Sequence, residues 1–347
     1  GAKYALCVCN GTAALKLALL AVGIKPGDEV ITQSFTFIAT VEAILELGAI
    51  PVITEVDKSL NMDPQDLEKK ITKKTKAIVP VHMGGVAAKM DEIQTIAKKY
   101  HLPIVEDSAQ ALGATYKEKY LGTLGIAGIY SLDIGKVITT GEGGIVVTND
   151  QKNYLKAREY SDHGHEQNPK FPRGEDTRTM WGFNYKATEL HGAVGLAQLK
   201  KLDFILQKQR ENKKTIKEGI KNVSGIEFRE IPNPDGDAGD TLIFYMSSRE
   251  KASLFAKKLK EKGLGTKNLP DAIDWHYAGT WTHIFSAYPQ FNGKNPEKIL
   301  SQSTDYLRRA IALPIMVLMS DERMKQTIDA VQMIAKEVEK ECLVSPI

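Results

Sequence analysis

Three short stretches carry side chains that could do chemistry together. Asn10-Gly11-Thr12-Ala13-Ala14 lies between an apolar run and a helical pattern. A helix N-terminus there would present unbonded N–H groups, and small residues would let an anion approach them. The same residues also read as a plain capping turn. Neither G-x-G-x-x-G nor G-x-x-x-x-G-K-[ST] occurs here, so this is no dinucleotide fingerprint or P-loop. Glu106-Asp107-Ser108-Ala109-Gln110 closes an apolar run. In open α/β sheets ligands bind at the carboxyl ends of strands, and a buried acid there needs a cationic partner. Its other reading is a helix N-cap. Ser131-Leu132-Asp133-Ile134-Gly135-Lys136 continues into Thr139-Thr140-Gly141-Glu142-Gly143-Gly144. A desolvated lysine in such a loop can form a Schiff base with a carbonyl, whereas a single surface lysine is ordinarily a solvated charge. Jointly, the three stretches meet the requirements of one cofactor. A phosphate cradle, an acid for a protonated ring nitrogen and a Schiff-base lysine are what pyridoxal 5′-phosphate needs.

The elements that must position these residues follow from the pattern around them. β-rich runs at Tyr4–Val8, Glu29–Thr32, Ile50–Ile53, Ala77–Val81, Pro103–Glu106, Ile126–Ser131 and Gly144–Thr148 predict strands. Helical patterns at Ala13–Val22, Phe37–Leu47, Pro64–Lys70 and Met90–Tyr100 lie between most of them. Asp63 is a good N-cap, and Pro64 suits the first helical position. Strands alternating with helices predict a mostly parallel sheet covered on both faces. Beyond residue 150 the pattern changes. Tyr154–Tyr160 and Glu189–Lys221 read as helices, the second broken or bent near Leu202–Asp203. A strand is expected at Thr241–Met246, and helices at Lys251–Lys262 and Asp321–Lys340. The expected fold class is α/β, with a cofactor domain over 1–205 and a small α+β domain over 206–347.

The 347 residues carry a formal net charge of +3, with 42% hydrophobic and 26% charged residues. Both signs are mixed along the chain, so no nucleic-acid footprint is expected. No apolar run approaches the ~20 residues of a membrane span, and no signal peptide opens the chain. Three cysteines make no disulfide framework and no metal site, which predicts a reducing cytoplasm. A strand starting at Tyr4 suggests that a segment preceding it is missing.

With these residues in view, the chain resembles the DegT/DnrJ/StrS sugar aminotransferases, pyridoxal phosphate enzymes of fold type I. The resemblance is carried by NGTAALKLALLAVGIKPGDEVI, SFTFIATVEAILELGAIPV, KAIVPVHMGG, VEDSAQALGATY, SLDIGKVITTGEGG and FNYKATELHGAVGLAQL. It implies a large, mostly parallel seven-stranded sheet between helices, and roles for individual residues. Lys136 matches the lysine that holds the cofactor and moves the proton. Asp107 matches the acid on the pyridine nitrogen, and Gln110 the residue at the 3′ oxygen. Thr12 and Ala13 match the phosphate turn, Ser131 adds a hydroxyl, and Phe37 matches the ring stacked on the cofactor. Asn184 matches an asparagine that reaches the phosphate of the neighbouring subunit, which implies a homodimer with shared active sites. One branch of the family has histidine in place of the lysine and dehydrates its substrate; Lys136 favours transamination.

The resemblance narrows the substrate through Ser161-Asp162-His163-Gly164-His165-Glu166, the segment Phe228–Asp237 and Trp275-His276-Tyr277. These are similar to the branch that makes 8-amino-3,8-dideoxy-manno-octulosonate, a lipopolysaccharide sugar acid, with glutamate as amino donor. His163, His165, Arg173 and His276 are the candidate substrate residues, with Arg178 and Lys186 competing for a carboxylate. Two other readings stay open: a nucleotide-linked keto sugar as acceptor, and a pyridoxal-phosphate-binding regulatory protein without turnover. Glu341–Ile347 match nothing in the family pattern.

Overall fold

Each Val/Ile-rich run of the first 150 residues forms a strand. These are β1 (Tyr4–Val8), β2 (Glu29–Gln33), β3 (Ile50–Thr54), β4 (Thr75–Val79), β5 (Val105–Asp107), β6 (Ala127–Ser131) and β7 (Gly144–Thr148). The intervening helices are α1 (Gly11–Ala21), α2 (Ala39–Glu46), α3 (Pro64–Lys70) and α4 (Met90–Lys99), and α5 (Gln151–Tyr160) follows β7. The computed structural model describes residues 1–172, 174–266, 269, 273–286 and 294–344. The start of α3 is as expected: the Asp63 carboxylate accepts from Gln65 N at 2.8 Å, and Pro64 opens the helix.

Two ladders, β1-β7-β6-β5 and β3-β2-β4, meet through parallel bridges Ile78–Ile104 and Val81–Asp107. The result is one seven-stranded sheet in the order β1-β7-β6-β5-β4-β2-β3. Within it β7 runs antiparallel to both neighbours. β5, which ends on Asp107, is the central strand. Alternation sends successive side chains to opposite faces. Thus Val30 packs under α1 and α2 with Leu17, Ala18 and Ile44, whereas Ile31 packs under α3 and α4 with Leu67, Met90 and Ile93.

The helical stretch after residue 189 is broken where a break or bend is expected. α6 (Glu189–Leu199) and α7 (Leu202–Ile220) are separated at Lys200–Lys201. A second sheet follows, antiparallel and ordered β8-β9-β10, from Ile226–Phe228, Thr241–Met246 and Ala310–Pro314. α8 (Arg249–Glu261), α9 (Ser301–Arg309) and α10 (Asp321–Val344) complete this part. Leu242, Phe244 and Met246 of β9 face Phe255, Leu259, Val331 and Ile334. The alternate residues Ile243 and Tyr245 instead share a core with Phe35, Val41 and Ile53 of the first sheet's layer. Each large apolar side chain buried there contributes about 1.5–3 kcal/mol, so the two parts meet through a true core. β8, β10 and α9 had no expectation from sequence. β10 begins at Ala310, directly after α9 ends at Arg309, with no turn residue to mark the change.

Candidate active site

The turn from β1 into α1 is fixed by Asn10. Its side-chain oxygen accepts from Ala13 N at 2.8 Å, capping the helix. The amides of Gly11 and Thr12 in the first turn have no carbonyl of their own helix to bond, so they are available to an anion. β7 crosses this turn closely. A Cβ on Gly144 would lie 2.2 Å from the Asn10 carbonyl oxygen, so only glycine fits. Ser131 closes β6 beside Gly11, where a Cβ would lie 2.9 Å from the serine Cβ.

Asp107 ends the central strand and is buried. Its Oδ2 accepts from the Thr40 hydroxyl at 2.7 Å, and its Oδ1 accepts from Ala109 N at 3.1 Å. Burial pushes its carboxyl above the usual carboxylate range. Thr40, Ala109 and the nearby charge of Lys136 pull it partly back. On the opposite face of the strand Glu106 is buried too. It accepts from the amides of Gly122, Leu124 and Gly125 at 2.8, 2.6 and 2.6 Å, and lies 3.1 Å from His82 Nε2. Glu106 therefore pins the register that presents Asp107. Gln110 accepts from Gly84 N at 2.9 Å.

These elements open onto one cleft of about 480 Å³. Thr12, Phe37, Asp107, Gln110, Ser131, Lys136 and His276 all line it, as do Asn10, Thr40 and Glu142. Ala13 stands beside it, its side chain in the core. Phe37 stacks on Trp275 with ring centroids 6.3 Å apart and lies 5.4 Å from the His276 ring. The backbone aligns these groups: Thr36 N donates to His276 O at 2.9 Å.

Other candidates lie elsewhere in the single chain. Asn184 is exposed on an extended segment, its Oδ1 accepting from Lys186 N at 3.4 Å. Lys186 pairs with Asp162. His163 takes a left-handed backbone, φ 56°, and donates its amide to Phe183 O. His165 lines a second cleft of about 360 Å³ with Asp162 and Asp176. Its Nδ1 lies 2.9 Å from Asp176 Oδ1, and Arg178 approaches Nε2 at 3.2 Å. Hydrogen bonding from His165 holds the Asp176 carboxyl below its usual range. Arg173 lies outside the described residues. Sequence reasoning read the turn that Asn10 caps but missed Thr40, because nothing near Thr40 announces its bond to Asp107.

The residues present fit pyridoxal phosphate. Asp107 is a buried carboxylate whose oxygens are met by a hydroxyl and an amide, both neutral, so a protonated ring nitrogen suits it. A lysine lines the same cleft, and a helix N-terminus suits the phosphate. Fold and cleft together define a pyridoxal-phosphate-dependent transferase of fold type I. The model of the DegT/DnrJ/EryC1/StrS aminotransferase family matches residues 1–332. The spore coat polysaccharide biosynthesis protein SpsC of Bacillus subtilis is 34% identical over 352 aligned residues, covering 97% of this chain and 86% of that protein. GDP-perosamine synthase of Caulobacter vibrioides is 44% identical over 208, covering 58% of this chain and 54% of its own length. An aminotransferase structure from Psychrobacter cryohalolentis superposes with TM-score 0.86 at 29% identity, over 97% of this chain and 88% of that one. NtdA from Bacillus subtilis with bound PMP, at 25% identity, gives TM-score 0.83 over 96% of this chain and 74% of its own. The chain belongs to the DegT/DnrJ/EryC1/StrS aminotransferase family, and it is a pyridoxal-phosphate-dependent enzyme of this sugar aminotransferase group.

Proposed function

We propose that the chain moves an amino group from glutamate to a keto or aldehyde sugar, and that the acceptor is the 8-oxo octulosonate aminated to 8-amino-3,8-dideoxy-manno-octulosonate for lipopolysaccharide. The observation that carries the transamination reading is the pairing of Lys136 with the buried, neutrally bonded Asp107 on one cleft. When bound, pyridoxal phosphate supplies the electron sink through which the amino group passes. Asp107, held by Thr40 and Ala109, keeps the proton on the ring nitrogen. Lys136 takes the proton from the donor's α-carbon and returns it during amination of the acceptor. The first turn of α1, with Thr12 and Ser131, holds the phosphate; Gln110 takes the 3′ oxygen; Phe37 walls one ring face. His276 lines the cleft next to Phe37 and contacts the sugar. Asn184 reaches the cofactor phosphate of a second copy, and His163 and His165 stay candidate substrate residues.

That second copy is supported by α6. Leu190, Val194, Leu196 and Leu199 are all exposed, and the helix has no buried side chain. Such a helix needs a partner face, and we take that partner to be a second copy of this chain. We place the enzyme in the cytoplasm, consistent with free Cys7 and Cys9.

The full chain with bound cofactor should show a visible absorption band that bleaches with glutamate and recovers with the acceptor sugar. Lys136→Ala should abolish both changes, and turnover retained at the wild-type rate would sink the mechanism. The GDP-perosamine synthase relative favours a second reading, with a nucleotide-linked keto sugar as acceptor. Assays of both sugar classes, read by mass, separate the two. A bound cofactor that never responds to any amino donor would instead mark a regulatory protein.

A further inference from the structure

Lys16 is a buried cation that the chemistry leaves unused. It sits in α1, one turn beyond Thr12, and its side chain is 4% exposed. Its ammonium donates to Glu46 at 2.5 Å and to the Tyr185 hydroxyl at 3.0 Å. It also lies 5.0, 5.3 and 5.8 Å from the ring centroids of Phe183, Tyr185 and Tyr160. Three rings around one ammonium, two of them from a single extended segment, form a strong cation–π anchor when desolvated.

That segment is held as a strand. Phe183 N donates to Tyr160 O and Tyr185 N to Ser161 O, both at 2.9 Å, while Cys9 N donates to Tyr185 O at 2.8 Å. Side chains alternate along it. With Phe183 and Tyr185 turned to Lys16, Asn184 between them points the other way and is exposed.

We propose that Lys16 is a positioning residue for cofactor binding: its ammonium clamps α1, which carries the phosphate turn, to the segment that presents Asn184. One cation thereby couples the phosphate contact of its own subunit to the contact offered to the neighbouring subunit. This rests on the reading that Asn184 serves the partner's cofactor phosphate. Glu46 is 54% exposed on its side chain, so removing the lysine strands no buried charge.

The test is a double-mutant cycle on the full chain, read as the dissociation constant of pyridoxal phosphate. Lys16→Met keeps the apolar stem and removes the ammonium. Lys16→Met and Asn184→Ala should each weaken binding on the order of tenfold. The double variant should lose less than the product of the two single losses, because Lys16 acts in part through Asn184. Multiplicative losses, or wild-type binding by Lys16→Met, would overturn the proposal alone. Unchanged binding by Asn184→Ala would overturn both the proposal and the reading it rests on. Should Lys16→Met not fold, Tyr185→Phe, which deletes only the hydroxyl, takes its place in the same cycle. Non-multiplicative losses then support the clamp, and multiplicative losses or wild-type binding overturn it.

Discussion

Asp107 holds its carboxylate almost wholly buried at the cleft wall, and the hydroxyl of Thr40 and the amide of Ala109 meet its two oxygens. Burial raises its folded pKa above the unfolded value. The folded chain therefore binds this proton more tightly than the unfolded chain, and stability falls as pH rises from the unfolded value through the folded one. Above the folded value the penalty is complete; below about pH 4 it vanishes. Asp107→Asn removes the charge and still lets its oxygen accept from Ala109 while its amide group donates to Thr40. In the cofactor-free chain this variant should melt higher than wild type at neutral pH, with the gain fading in acid. Its kcat should fall on the order of 10²-fold, because on our proposal the ring nitrogen loses its counter-charge. A variant melting below wild type at neutral pH would show that the buried charge carries no penalty. At this scale the sequence was informative about chemistry and silent about support. Asp107 and Lys136 were legible from their motifs. Thr40 stands 67 residues before Asp107, and only the folded chain brings them to 2.7 Å.

At the scale of elements, the site depends on strands and helix termini meeting without room to spare. β7 passes so near the β1–α1 turn that a Cβ on Gly144 would stand 2.2 Å from the Asn10 carbonyl. Gly144→Ala must shift the turn that caps α1, where we propose that the phosphate binds. We expect a stability loss of about 1–3 kcal/mol in denaturant melts, together with weaker pyridoxal phosphate binding. Unchanged affinity would mean that the turn can move without cost. The Phe228–Asp237 segment gains a different meaning here. Arg229 is buried, and burial lowers the pKa of its guanidinium. It donates to Ser59 O at 2.5 Å and Met83 O at 2.9 Å, tying β8 to the loop that contributes Met83 to the cleft. A segment that looked like a substrate signature thus contributes a structural clamp. Elements with local signals, such as α3 with Asp63 and Pro64, were legible. β10 was not, because its register against β9 is set by pairs such as Thr241–Pro314, far apart in the chain.

At the scale of the whole molecule, two apolar faces stand out. One is the core shared by Ile243, Tyr245, Trp281 and Phe285 with Phe35, Val41 and Ile53. It carries Trp275 and His276 to Phe37. We keep as a proposal the division into a cofactor part, 1–205, and a smaller part, 206–347. α7 runs unbroken from Leu202 to Ile220 across that boundary. Limited proteolysis that releases stable fragments near residue 205 would support it. The other surface is α6, apolar and without a buried side chain. Leu196→Asp puts a charge on that face at an exposed position. We expect this variant to sediment as a monomer and to lose cofactor affinity together with turnover, since on our proposal Asn184 serves a second copy. A Leu196→Asp protein that sediments as wild type would place the interface elsewhere.

The sequence by itself determined the seven β runs, the helices between them and the residue types at the strand ends. Hydrophobic alternation, caps and breakers act within a few neighbouring residues. From those signals Lys136, Asp107, Thr12 and Gln110 could be placed at the mouths of their strands and matched to a cofactor. Only the tertiary structure decided that they share one cleft with Phe37 and His276. Only it placed His165 in another cleft and set Lys16 among Tyr160, Phe183 and Tyr185. Those arrangements depend on strand order, crossover and burial, which join residues more than a hundred positions apart and leave no local periodicity to read.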